Sequence, residues 1–459
     1  QNAGIDFNPL PEDPAVAISN PVMDTPEGTS TISDRNGQVI FFTDGDKVWN
    51  RSFTEIATGI GGNNSSTQSA LIVPFPGDET LYYIFTTTAI DGIPAAYDLR
   101  YSVFDLTMNG GTGGMVNPVG TLLFTKSTER ITSNGNWLIA HEFGNNSFRA
   151  YPLTAQGIGN PVISSIGSDH VFTPVQNGQG YMEFGGQGNL AVALSTPGVS
   201  NLVEIFDFTD SSGVFSNYRV ADLNIPAGQV YGLEFSGSKL LTTWNDGTDS
   251  KIVEFFFNAG DTVYSVKQPP IDVPGQQIGA IQTGPDGSVY VAVEGASSLL
   301  TIQVQPDTTL ASTFTLNGFP LVGGTTSHLG LPNFVQTLAN PAQTPGINFT
   351  GVCQGSPTDF TASGKDSNID IFDWVFGDGI TLNDGGPQVS HTYPSVPMTV
   401  TYDVTLTVRN KCEDPVAVFT RQVTISPPPA APTFLKPGDS PVLCASTLNR
   451  GVTWLQKCR

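Results

Sequence analysis

Gly284-Pro285-Asp286-Gly287-Ser288-Val289-Tyr290-Val291 is a polar turn with a central glycine, followed by a run of strand-forming residues. Such a glycine supplies the positive φ that a tight hairpin tip needs, and the run behind it has no polar face. The pattern recurs at Ser33-Asp34-Arg35-Asn36-Gly37 before Gln38-Val39-Ile40-Phe41-Phe42 and at Ser133-Asn134-Gly135 before Asn136-Trp137-Leu138-Ile139. It recurs again at Gly186-Gln187-Gly188 before Asn189-Leu190-Ala191-Val192 and at Ser236-Gly237-Ser238 before Lys239-Leu240-Leu241. The turn glycines at 37, 135, 188, 237 and 287 are separated by 98, 53, 49 and 50 residues. The long gap spans two repeats, and Pro76-Gly77-Asp78-Glu79 before Leu81-Tyr82-Tyr83-Ile84-Phe85 fills it. Six repeats of about 50 residues result.

That period, with several short strands per repeat, predicts a β-propeller over residues 1–337. Its blades stack face to face, which explains strands that are apolar on both sides. Leu329-Gly330-Leu331-Pro332-Asn333-Phe334 resembles Tyr231-Gly232-Leu233-Glu234-Phe235, the strand that enters the fifth repeat. It is read as part of a seventh blade, completed by the N-terminal strand around Gly4-Ile5-Asp6-Phe7. Closure by the two termini removes free sheet edges. Seven blades are expected, with six as the alternative.

Composition agrees with an all-β chain. The sequence has 459 residues, 50 of them Gly and 34 Pro; 10% are aromatic and only 13% charged. This favours turns and short strands and excludes a coiled coil or a highly charged disordered tail. No apolar run approaches the roughly 20 residues of a membrane-crossing helix. With 19 basic against 41 acidic residues, the net charge is −22. Such a surface repels phosphate backbones, so no nucleic-acid partner is expected. No membrane insertion is expected either.

A Pro-punctuated linker, 338–347, leads to a second module at 348–426. There Phe372, Trp374 and Phe376 alternate on one face, as do Tyr402, Val404, Leu406 and Val408, which predicts a β-sandwich. A Pro-rich spacer at 427–432 precedes a fragment at 433–459. All four cysteines lie late, at Cys353, Cys412, Cys444 and Cys458. A cysteine-free region beside a small cysteine-bearing one suits an exported protein. Cys353 with Cys412, and Cys444 with Cys458, are the expected disulfides. The chain starts at Gln1 with no signal peptide, as a mature or trimmed chain would.

The second module resembles a polycystic-kidney-disease (PKD) domain. The carrying residues are Trp374-Val375-Phe376-Gly377-Asp378-Gly379, then His391-Thr392-Tyr393, then Tyr402-Asp403-Val404-Thr405-Leu406-Thr407-Val408. Val375 stands where the family usually has Asp. The resemblance implies an immunoglobulin-like spacer or adhesive module. The region before it is similar to the propellers of large secreted surface proteins of Bacteroidota. The matching stretches include Asn2-Ala3-Gly4-Ile5-Asp6-Phe7, Val48-Trp49-Asn50-Arg51 and Ser65-Ser66-Thr67-Gln68-Ser69-Ala70-Leu71-Ile72-Val73-Pro74. That likeness implies export by type IX secretion and a place in adhesion or gliding motility.

Chemistry leaves fewer marks. The histidines are His141, His170, His328 and His391. There is no G-x-S-x-G elbow and no H-E-x-x-H helix, which excludes an α/β-hydrolase and a zincin of that form. Glu142, Glu183, Glu234 and Glu294 lie near strand starts and are the candidates for a carboxylate pair of the glycosidase kind. Asp366, Asp370, Asp373 and Asp378, and Asp44 with Asp46, are the acids nearest to a calcium site, though none has EF-hand spacing. No cofactor is expected, and calcium is the one metal the acids suggest. Trp49 and Trp244 are candidates for stacking on sugars. Asp261-Thr262-Val263 and Asp307-Thr308-Thr309 resemble the short O-glycosylation motif of Bacteroidota, which marks Thr262 and Thr308.

The sequence therefore reads as a non-enzymatic, secreted or cell-surface modular protein. Its propeller is the recognition head for another surface protein or a glycan, and the PKD module is a spacer. The alternatives are a polysaccharide-active propeller enzyme, lyase or glycosidase, and a self-assembling subunit of a surface filament.

Overall fold

The computed structural model describes residues 2–456 apart from 8–14, 35–36, 91–96, 172–176, 186–187, 197–199, 224, 226–227, 237–238, 257–269, 285, 305–311, 336–345, 353, 364–370, 395–397, 410–414, 428–443 and 448–452. Thr262, Thr308, Cys353, Cys412, Cys458, Asp366 and Asp370 lie outside the described residues. Cys444 opens the short strand Cys444–Thr447, and no disulfide is found among the described residues. The chain divides into two compact units, Gln1–Leu338 and Ala339–Arg459.

The first unit is a propeller. Six antiparallel sheets, each with its strands in chain order, begin at Thr29–Ser33, Ala70–Pro74, Ser127–Ser133, Met182–Phe184, Gln229–Ser236 and Ile278–Thr283. Between the first and second strands of five blades sits the repeating turn, with Gly37, Gly77, Gly135, Gly188 and Gly287 at φ of 75°, 82°, 90°, 82° and 76°. A side chain there would be strained, which is why glycine recurs. These turns share one face of the propeller, the turn face. The crossovers between blades lie on the opposite face.

Blade stacking explains the apolar second strands. In the third blade Leu138 shares a core with Leu71, Val73 and Phe85 of the second, whereas its neighbour Ile139 packs with Leu190, Val192 and Phe206 of the fourth. Successive residues of one strand thus bury opposite faces. Each such side chain contributes roughly 1.5–3 kcal/mol.

The inner strands form a closed hydrogen-bonded circuit, backbone to backbone at every step but one. Gly28 N–H donates to Ser66 O, Gln68 N–H to Glu129 O, Glu129 N–H to Gly178 O, and Tyr181 N–H to Tyr231 O. Thr243 Oγ1 accepts from Gly232 N–H and donates to Gly279 O. Ala280 N–H then donates to Leu329 O, and Leu329 N–H to Pro26 O, 2.7 and 3.0 Å. Seven segments therefore ring the axis, but only six carry a sheet of four or more strands among the described residues.

The expected seventh blade takes a different form. Pro332–Asn333 pairs in parallel with Thr29–Ser33 and joins the first blade's sheet from the inside. The N-terminal strand Ala3–Asp6 pairs with Val16–Ser19 as a separate hairpin, whose Phe7 meets Tyr290 of the sixth blade edge-on at 5.8 Å. The physical reason is length: the 329–334 stretch supplies one strand, and its backbone finds partners on both flanking blades without a sheet of its own.

The second unit is a β-sandwich. Gly346–Thr350, Pro357–Ser363 and Gln388–Thr392 form one sheet; Thr381–Leu382, Ile371–Val375, Val400–Arg409 and Pro415–Ile425 form the other. Phe372, Trp374, Phe376, Val404, Leu406 and Val408 are buried between them. Trp374 Nε1 donates to Gly386 O, and the Tyr393 hydroxyl donates to Phe376 O. Gly377 and Gly379 hold φ of 84° and 94°, and His391 Nε2 lies 2.7 Å from Asp378 Oδ2. His391 is thus tied to the turn it follows.

The closing segment gives a test. A Cβ on Gly330 would lie 1.9 Å from Glu27 O, whereas one on Gly323 would meet nothing within 4 Å. Gly330→Ala is expected to destabilise the propeller by about 1–3 kcal/mol and Gly323→Ala by less than about 0.5 kcal/mol, read by denaturant unfolding.

Candidate functional site

The axis is where the inner strands converge, and polar side chains link them to one another there. Gln68 reaches from the second blade: its Oε1 accepts from Met182 N–H at 3.0 Å and Ile131 N–H at 3.3 Å, and its Nε2 donates to Met182 O. Asn333 Nδ2 donates to Ala70 O, and Ser30 Oγ donates to Asn333 O at 2.8 Å. What remains is a cavity of about 20 Å³, bordered by Gln68, Thr132, Tyr181, Glu183, Glu234 and Asn333, with Phe334 beside it. That volume holds about one water molecule.

Glu183 and Glu234 are the chemically distinctive pair here. They come from the inner strands of neighbouring blades, close to the turn face, and each is 7% exposed. They hydrogen-bond to one another. Burial, the Glu234 charge and that hydrogen bond hold the Glu183 carboxyl well above the usual range. Burial also raises Glu234, to about 7, against hydrogen bonds from Thr283. Two buried carboxyls in contact cannot both ionise cheaply, so they hold a proton between them. Their contact leaves no space for a sugar ring, so they are not a glycosidase pair.

The other carboxylates of the sequence reading are not brought together with them. Glu142 Oε1 pairs with Arg149 at 2.6 Å, and its Oε2 accepts from Asn145. Glu294 Oε1 lies 2.9 Å from His328 Nδ1, with Asp24 at 3.7 Å from Nε2. Asp44 Oδ1 accepts from Asp46 N–H and Lys47 N–H, and Asp373 pairs with Arg409. These acids shape turns and ion pairs. Among the described residues, no three His, Cys, Asp or Glu side chains gather into a metal-binding group. Trp49 and Trp244, 4% and 1% exposed, are core residues and unavailable for stacking on sugars.

A second buried cluster joins the third and fourth blades. His141 and His170 stack at 3.5 Å between ring centroids, both fully buried. Arg130 Nη1 lies 3.3 Å from His170 Nδ1, and Arg130 also donates to Asn177 O, Gln179 O and Ala193 O. Arg130 only donates, so His170 Nδ1 is the acceptor and Nε2 carries the proton, 3.7 Å from Glu204 Oε2. Glu204 Oε1 accepts from the Tyr218 hydroxyl. Burial and the Arg130 charge hold both imidazoles well below their ordinary value. Both rings are therefore neutral at neutral pH. His141 and His170 were visible only as histidines; spacing along the chain does not reveal that they meet each other, Arg130 and Glu204.

Comparison with known proteins bears on both units. The PKD domain family matches residues 339–425, so the second unit is similar to PKD domains, as its motifs imply. No curated protein matches the chain. Among solved structures, it is similar to a proposed 6-phosphogluconolactonase of Bacteroides fragilis: 14% identity, 80% of this chain and 95% of that one, TM-score 0.40. It is also similar to a proposed oxidoreductase (glucose dehydrogenase) of Thermus thermophilus: 12% identity, 59% and 91%, TM-score 0.38. A third is the β-propeller domain of Cps50 (Swd1) from Myceliophteria thermophila: 11% identity, 61% and 85%, TM-score 0.34. These neighbours correct the expectation that the chain is not an enzyme, because structures described as enzymes stand among them. At such identities the likeness concerns the fold and brings no activity to this chain.

The carboxyl pair sets a pH dependence. A carboxyl whose folded value is raised stabilises the fold below its unfolded value, and that contribution is lost as pH rises through the folded value. The pair therefore erodes stability between about pH 4.5 and pH 7 and above. Glu234→Gln is expected to match the parent near pH 5 and exceed it near pH 8 by on the order of 1–3 kcal/mol. Urea unfolding of both proteins at the two pH values in metal-free buffer measures this. A parent that is the more stable of the two at pH 8 would refute it.

Proposed function

We propose that this chain is an extracellular modular protein whose propeller is the recognition head and whose PKD module and Pro-rich stretch are the spacer. The observation that carries the reading is the narrow axis, where the inner strands leave a cavity of about 20 Å³. A macromolecular ligand must therefore engage loops on the two rims, which a rigid ring of sheets holds in place. A PKD domain beside the propeller favours an extracellular setting. No helix among the described residues is long and apolar enough to cross a membrane. The partner is another surface protein or a glycan, in adhesion, surface motility or extracellular assembly. Export by type IX secretion belongs to the same reading, on the strength of the N-terminal resemblance. The net charge of −22 argues against nucleic acid.

The test is binding to glycan arrays and to purified surface-protein fractions from a Bacteroidota host. The full chain and residues 1–338 are expected to bind the same targets, while residues 339–459 alone bind none of them. Binding by the PKD unit alone would reverse the roles of the two units.

A further inference from the structure

The crossover from the third blade to the fourth is fastened by three fully buried residues, Arg130, His170 and Glu204. Arg130 stands on the inner strand of the third blade. Its guanidinium donates to Asn177 O and Gln179 O on the crossover and to Ala193 O on the fourth blade. The His170 backbone is tied to the third blade, donating to Asn145 O and accepting from Gly144 N–H. Glu204 Oε1, on the fourth blade, accepts from Ser168 N–H at 3.0 Å. The His141 and His170 rings lie face to face, 20° apart in plane, with Phe148 edge-on to His141 at 4.5 Å.

Hydrogen bonds decide where a further proton could go. His170 Nδ1 faces Arg130, which only donates, so Nδ1 stays bare while that contact stands. His141 Nδ1 lies 2.6 Å from the carbonyl Glu142 O and therefore carries its proton, which leaves the buried Nε2 as a lone pair without a partner. Charge opposes a proton at either place. Arg130 and Glu204 are the ions that act on the rings, and they already balance one another. A proton added to the stack is thus an uncompensated charge out of reach of water. Glu129 is held by Thr67 and the Ile90 N–H, the Glu142 carboxylate turns to Arg149 and Asn145, and Tyr218 donates to Glu204. We infer that this joint is an acid-released latch: on acidification residues 166–171 and 177–179 part from the two blades, while the inner strands stay paired.

The direction follows from linkage. In the joined form both rings exclude protons; in the parted form each meets water and takes one up in the ordinary imidazole range, about pH 6.5. The parted form therefore gains as pH falls. Each freed ring raises its share by up to about thirtyfold between pH 7.5 and pH 5. The Glu183–Glu234 pair acts in the opposite sense, stabilising the fold at low pH, and does not mimic this loss. Acid would thus alter the crossover rim between the third and fourth blades and leave the turn face as it is.

Hydrogen–deuterium exchange of the full chain at pH 7.5 and pH 5, corrected for intrinsic exchange, tests this. The amides of Ser168 and His170 are expected to lose at least about tenfold of their protection at pH 5, while those of Ala70–Pro74 and Val289–Val293 keep theirs. The double variant His141→Asn with His170→Asn keeps an amide N–H toward Glu142 O and an amide oxygen toward Arg130. It is expected to show the same protection at both pH values. Equal protection of 166–171 in the parent at both pH values, or an equal loss in every blade, would overturn the latch. So would a pH effect that persists in the double variant. Nitrogen-15 shifts of the histidine rings in the parent give a check that needs no variant. The two buried rings are expected to stay neutral down to the pH at which the Ser168 and His170 amides open. A buried ring that charges near pH 6.5 with those amides still protected would refute the proposal.

Discussion

The propeller depends on one circuit of hydrogen bonds that pass from each inner segment to the next, through the Thr243 hydroxyl between the fifth and sixth, until Leu329 returns the chain to Pro26. Each blade alone is a small sheet with two apolar faces, which cannot persist in water. Stacking hides those faces only if the last blade meets the first. Here that meeting is made by a few residues instead of a sheet. Leu329 binds Ala280 on one side and Pro26 on the other; Asn333 then ties Ser30 and Ala70. Gly279 and Gly330 permit the approach, since a Cβ on either would collide with backbone at about 2 Å.

The same closure decides where function can lie. A seventh segment reaches the axis, and with Gln68 and the Glu183–Glu234 pair it lines a small pocket that Leu71, Ile131, Met182 and Leu331 border as well. Large ligands are left with the rims. The histidine–arginine–glutamate cluster between the third and fourth blades behaves differently. Its rings are stacked and neutral, and its orientation is fixed by Arg130. It joins blades and reaches the surface through Tyr218 and Ser168.

The repeat was legible in the sequence because a hairpin tip needs positive φ and glycine accommodates it. Gly37, Gly77, Gly135, Gly188 and Gly287 all adopt it. The PKD motifs were legible for a similar reason, since their side chains act over short stretches: Trp374 on Gly386, Asp378 on His391, and Tyr393 on Phe376. Pairings across the propeller were not. Glu183 and Glu234 stood out singly, but 51 residues separate them and only blade stacking brings them into contact. Trp49 and Trp244 looked able to bind sugars because local sequence does not reveal that Trp49 is buried against Phe42 and Trp244 in a core shared between blades. Among the described residues the seventh blade has no four-stranded sheet of its own, and the similarity of 329–334 to an inner strand says nothing about strands that would have to follow.

Hydrogen–deuterium exchange of the 329–334 segment in the intact chain measures the closure most directly. The amides of Leu329 and of Ala280, its partner, are expected to exchange as slowly as those of Ala70–Pro74, because all belong to one closed ring. Exchange of 329–334 within seconds, while the inner strands of the six blades stay protected, would mean that the ring is held shut by something else.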